Sequence, residues 1–190
     1  MGTGSVAPVP KTALIVVDMV QTYDFSDGET LAGNVEKMIP SLKRLLDKAR
    51  EADALIVYVN DSFGDWSTDR EGLVAKARAS DYPHLIDEVE PDDDVLFVLK
   101  ARHSIFFQTP MDYILDENEI EHLVLAGQTT EQCVLYSALD AHIRHRPVSV
   151  PKDAVAHIHD DLAKAALRMM ELNMDAEVVD SADVSFSADR

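Results

Sequence analysis

The sequence predicts a Rossmann-like, doubly wound α/β domain: a six-stranded, mostly parallel sheet with helices on both faces, a three-layer α/β/α arrangement. Three observations carry this. Short β-branched apolar runs alternate with longer amphipathic stretches. The runs are apolar throughout, which implies burial on both faces and hence parallel strands. A chain of 190 residues with 46% hydrophobic content can bury one sizeable core, and no repeat or composition shift marks a second. Residues 11–190 therefore read as one domain behind a loose tail at 1–10, where Gly2, Gly4, Pro8 and Pro10 cluster.

The elements follow in order. Ala13–Leu14–Ile15–Val16–Val17 has the signature of a buried strand. Leu31 to Glu51 has helical spacing, with a kink expected at Pro40. Leu55–Ile56–Val57–Tyr58–Val59 is the second strand. Asp61 to Tyr82 carries no translatable motif and reads as a loop forming much of a pocket lid. Asp92–Asp93–Asp94 reads as a solvated turn. Val95–Leu96–Phe97–Val98–Leu99 is the third strand, and Pro110 to Leu115 a short helix with proline in its first turn. Leu123–Val124–Leu125–Ala126 is the fourth strand, followed by a helix from Glu131 to Arg144. Val148–Ser149–Val150, a helix from Asp160 to Leu172 and the strand Ala176–Glu177–Val178–Val179 complete the pattern, with Ser181 to Arg190 peripheral.

Composition narrows the function classes. A net charge of −18 argues against nucleic acid or an anionic membrane as partner, since both are polyanions. One cysteine excludes an intramolecular disulfide framework and fits a reducing, cytoplasmic location. Residues 1–10 lack a signal-peptide pattern, and no apolar run has the length of a membrane span. The expected partner is a small-molecule substrate.

In an open parallel sheet, ligands bind beyond the carboxyl ends of the strands. Asp18 follows the first strand, Asn60 and Asp61 the second, and Lys100 and Arg102 the third. Gln128, Thr129, Thr130 and Cys133 follow the fourth. On position alone Cys133 has two readings: a small core residue, or a thiol at a strand-to-helix turn where backbone N–H groups and the helix dipole favour a thiolate. Asp18 and Lys100 supply what a nucleophilic thiol needs, a base and a stabilising cation. Backbone N–H groups between Gln128 and Cys133 stand where an oxyanion would form.

The segments Ala13–Val20, Lys100–Ala101–Arg102–His103–Ser104–Ile105–Phe106 and Ala126–Gly127–Gln128–Thr129–Thr130–Glu131–Gln132–Cys133–Val134 resemble the three signature blocks of the isochorismatase-like cysteine hydrolases. Ala138–Leu139–Asp140–Ala141 and Pro151–Lys152–Asp153–Ala154 are also similar, so the resemblance runs from about Thr12 to Val179. It implies a six-stranded parallel sheet flanked by helices and an Asp–Lys–Cys triad at Asp18, Lys100 and Cys133. It further implies a cis peptide at Gln128–Thr129, an oxyanion hole from the backbone of Thr129 and Cys133, and a homo-oligomer.

Within that family, nicotinamidases hold a metal through an aspartate and histidines beyond the second strand. Here Asp61 is present, but no histidine follows until His84, so no metal and no other cofactor is expected. A retained thiol points to acyl transfer through a thioester, cleaving a C–N bond of a small amide or carbamoyl compound. The alternatives are vinyl-ether hydrolysis of the isochorismatase type and a catalytically idle scaffold of the same fold. Phe25, Trp66, Phe106 and Phe107 read either as apolar pocket walls or as core packing. Asn60, Arg102 and Gln128 are candidates to orient polar groups of the substrate.

Overall fold

The computed structural model describes residues 11–186. The expected tail at 1–10 lies outside them. The strands are β1 (Thr12–Val17), β2 (Ile56–Asp61), β3 (Leu96–Lys100), β4 (His122–Gln128), β5 (Val148–Pro151), β6 (Val155–Ala156) and β7 (Glu177–Val179). Their order is β3-β2-β1-β4-β5-β7, with every pairing parallel. The six expected strands form this path. A seventh, β6, is two residues long and pairs with the end of β4 at Gly127 and Gln128.

The helices are α1 (Gly28–Glu51), α2 (Arg70–Arg78), α3 (Pro83–Asp87), α4 (Met111–Glu117), α5 (Leu135–Ile143) and α6 (Asp160–Asn173). A π-helical turn, Thr130–Val134, leads into α5. Both faces of the sheet are covered, as apolar strands require. Ala13, Ile15 and Val17 face a core shared with α4, α5 and α6, whereas Leu14 and Val16 face one shared with α1.

Two expectations are corrected. The region read as a loop from Asp61 to Tyr82 contains α2, and α3 follows it. Asp69 caps α2 by accepting a hydrogen bond from the Gly72 N–H at 2.8 Å, and Leu73, Val74 and Ala77 give the helix a narrow buried face. The segment after β7 is not peripheral: Ser181 and Val184 are buried. Asp153 accepts from the Ser181 N–H at 2.7 Å, while the Lys48 ammonium donates to the carbonyls of Ser181, Ala182 and Val184 at 2.6–3.1 Å.

The path of the chain fixes where the functional edge lies. It runs outward from β1 through β2 to β3, then crosses to β4 on the other side of β1. The carboxyl ends of β1 and β4 therefore flank the topological switch point. Here Gly127 has φ +112°, and a Cβ on it would lie 2.2 Å from the Val17 carbonyl oxygen. Only glycine lets β4 run this close to β1 in that conformation.

Candidate active site

Asp18 leaves β1 with φ 53°, which turns its side chain out of the strand repeat. Its carboxylate is buried and doubly held. One oxygen accepts the Asp61 N–H at 2.7 Å, and the other lies 2.8 Å from the Lys100 ammonium. The Asp18 carbonyl accepts a 2.5 Å hydrogen bond from the Gln128 side chain. Lys100 is the last residue of β3 and is 1% exposed, and its ammonium reaches the Asp18 carboxylate just past the end of β1. Its Nζ also lies 3.7 Å from Asp61 and 3.6 Å from the Cys133 sulfur. Cys133 sits inside the π-helical turn. Ser137 donates to the Cys133 carbonyl at 2.5 Å and accepts the Ile105 N–H at 3.1 Å, which ties this turn to the loop after β3. The Gln128–Thr129 peptide is cis, as the resemblance implies.

The electrostatics follow from burial. Loss of water pushes the Asp18 carboxyl above its ordinary range, with the Lys100 charge and hydrogen bonds from Cys133, Lys100 and Asp61 opposing. For Lys100, burial lowers proton affinity, but Asp18, Cys133 and Asp61 together outweigh it and the ammonium is held above its ordinary value. Burial pushes the Cys133 thiol up, the Asp18 charge adds to this, and Lys100 opposes only in part. Burial beside the Asp18 carboxylate thus favours a neutral thiol in the free site, with a base alongside it.

Of the predicted residues, the structure brings Asp18, Lys100 and Cys133 into one buried cluster. It gives Asn60 and Gln128 other partners. The Asn60 amide is engaged by the Val20 N–H and by the carbonyls of Val20 and Asp61, all within 2.9–3.1 Å. The Gln128 amide bridges Asp18 and the Tyr23 hydroxyl. Phe106 is buried in the core, with the Arg144 guanidinium 4.5 Å over its ring. Phe25, Trp66 and Phe107 are exposed, and Phe25 borders a groove with Tyr23 and Tyr82. Arg102 is exposed.

Sequence reading passed over His103, an exposed residue whose Nδ1 lies 3.7 Å from the Cys133 sulfur and whose ring rests against Tyr136 at 5.4 Å. Its signal was present: it stands three residues past Lys100 at the same strand end. Among the described residues, no group of three or more histidine, cysteine, aspartate or glutamate side chains is placed to hold a metal, and no helix is long and apolar enough to cross a membrane.

A doubly wound parallel sheet thus carries a thiol, a carboxylate and an ammonium at its switch point. The chain belongs to the isochorismatase family, whose domain model matches residues 12–183. It is 34% identical over 166 residues to the uncharacterized isochorismatase family protein YaaI of Bacillus subtilis, covering 87% of this chain and 92% of that one. It is 30% identical to the ureidoacrylate amidohydrolase RutB of Rhizobium rhizogenes, covering 82% and 74%. The crystal structure of N-carbamoylsarcosine amidase from Thermoplasma acidophilum superimposes with a TM-score of 0.71 at 28% identity, covering 92% of this chain and 98% of that one.

Proposed function

We propose that this hydrolase cleaves the C–N bond of a small amide or carbamoyl compound through a thioester on Cys133. The observation that carries the reading is the buried contact set, with Lys100 2.8 Å from Asp18 and 3.6 Å from the sulfur. A neutral thiol beside a carboxylate of raised proton affinity is a nucleophile with its base in place. The ureidoacrylate amidohydrolase and N-carbamoylsarcosine amidase relatives, by name, act on the same kind of bond.

In this mechanism Asp18 takes the thiol proton as sulfur bonds to the substrate carbonyl carbon. The resulting oxyanion accepts hydrogen bonds from the backbone N–H groups of Thr129 and Cys133. The intermediate collapses, the C–N bond breaks, and the proton on Asp18 passes to the leaving nitrogen. Water then adds to the thioester and gives its proton to Asp18. When the carbon–sulfur bond breaks, that proton returns to sulfur. Lys100 stays charged throughout, stabilising first the carboxylate and then the developing thiolate.

The test is a screen of small carboxamides, including nicotinamide, N-carbamoyl compounds and isochorismate, read by released ammonia or by loss of the vinyl ether. Amide turnover should disappear in Cys133→Ala with the fold intact, and an acyl adduct on Cys133 should appear by mass spectrometry after rapid acid quench. Full turnover in the alanine variant sinks the thioester route.

A further inference from the structure

Resting on the thioester reading, we propose that Glu131 is a positioning residue: its buried carboxyl fixes the turn that carries Cys133 and so sets the aim of the Thr129 and Cys133 N–H groups at the oxyanion. Three charged side chains are buried among the described residues: Asp18, Lys100 and Glu131. Asp18 and Lys100 hold each other. Glu131, two residues before the thiol, has no ion-pair partner among the described residues, and its Oε2 is buried with no hydrogen-bond partner there. Burying a carboxyl group in this way costs stability, so packing alone does not account for it.

What Glu131 does make is a pair of contacts far along the chain. Its Oε1 accepts the N–H groups of Ile158 and His159, each at 2.9 Å, where the chain enters α6. Its neighbour Thr130 donates from Oγ1 to the Ala156 carbonyl at 3.0 Å. The short strand β6 brings these groups within reach, because its pairing with Gly127 and Gln128 lays Val155 and Ala156 beside the end of β4. On the far side of the turn, Ser137 ties the Cys133 carbonyl to the Ile105 N–H. The turn is gripped at both ends by these ties, and the Thr129 side chain makes no capping bond that would hold it from within. The grip matters for chemistry because an oxyanion needs its donors at about 2.7–3.1 Å. A misplacement of about 1 Å costs roughly a hundredfold in rate.

The experiment compares two reactions of the same sulfur. With 4-nitrophenyl acetate, sulfur bonds to the acetyl carbon through a tetrahedral oxyanion, the thiol proton passes to Asp18 and 4-nitrophenolate leaves. With iodoacetamide, sulfur displaces iodide and no oxyanion forms. The readout is the ratio of the acylation rate to the alkylation rate at Cys133, by mass spectrometry, with Cys133→Ala as background. Glu131→Met keeps the side-chain length and removes the acceptor. It should lower the ratio by about tenfold or more while the alkylation rate stays within about twofold of the parent. Glu131→Gln, which keeps an oxygen for the two N–H groups, should retain most of the ratio. Thr130→Val removes the parallel tie to Ala156, should lower the ratio in the same direction, and carries the test if the methionine variant does not fold. A ratio unmoved in the variant that carries the test, both rates falling together in it, or a ratio lost as deeply in Glu131→Gln as in Glu131→Met overturns the positioning role alone. A parent whose Cys133 takes up no acetyl group overturns the thioester reading with it.

Discussion

Replacing Asp18 by asparagine should change thiol reactivity and turnover in opposite directions. The Asp18 charge raises the Cys133 proton affinity and Lys100 lowers it, so removing the carboxylate leaves the ammonium unopposed at the sulfur. A unit charge about 4 Å away at an effective dielectric near 20 is worth about 4 kcal/mol, or roughly three pKa units. Reorganisation takes part of this, and Asp61, 3.7 Å away, remains as a carboxylate partner for Lys100. We expect iodoacetamide to alkylate Asp18→Asn at pH 7–8 at least about tenfold faster than the parent, whose buried neutral thiol reacts more slowly than a free cysteine peptide. Amide turnover should meanwhile fall by about a hundredfold or more, because the proton acceptor is gone. The assay is a second-order alkylation rate by intact mass, paired with ammonia release on the same preparation. Slower alkylation in the variant, or turnover that survives, refutes the assignment of Asp18 as the base.

Lys100→Met strands the Asp18 carboxylate away from water; breaking a buried pair costs about 3–5 kcal/mol, a fall in Tm of roughly 6–20 °C by calorimetry for a domain of this size. Because burial raises the Asp18 proton affinity, the acidic limb of kcat/KM should lie above the ordinary carboxylate range, with activity present at higher pH and lost as Asp18 protonates. A limb at or below that range contradicts this account of the site. Gly127→Ala places a methyl group 2.2 Å from the Val17 oxygen at φ +112°, so it should destabilise by roughly 3 kcal/mol or more and abolish turnover; a parent-like Tm removes the steric argument.

The fold was legible where apolar runs do two jobs at once. Residues 13–17 are buried on both faces of β1, so every position is apolar and the strand needs no partner to be recognised. The two residues of β6 carry no period at all. In α2 only Leu73, Val74 and Ala77 are buried, too narrow a stripe to stand out in a polar stretch. Ser181 has a polar sequence context, and its burial is decided by Lys48 and Asp153, far away along the chain. Local sequence cannot encode such a contact.

The site was legible for a related reason and only to the same depth. Asp18, Lys100 and Cys133 each stand at the end of a predictable strand or at the turn beyond it, and a parallel sheet delivers all strand ends to one edge. Residue type did not settle what the neighbouring amides do. Asn60 and Gln128 have the chemistry to orient a substrate, yet the structure spends both on backbone: Asn60 on Val20 and Asp61, Gln128 on the carbonyl of Asp18. The reason lies in what the cluster demands. A carboxylate, an ammonium and a thiol from three strand ends must meet within about a hydrogen-bond length for proton transfer. Loops beyond strands have no ladder to fix them, so side-chain amides clamp the turns after β1, β2 and β4 to one another. Substrate contacts must then come from residues outside the clamp; His103, whose Nδ1 lies 3.7 Å from the sulfur, is one polar group so placed.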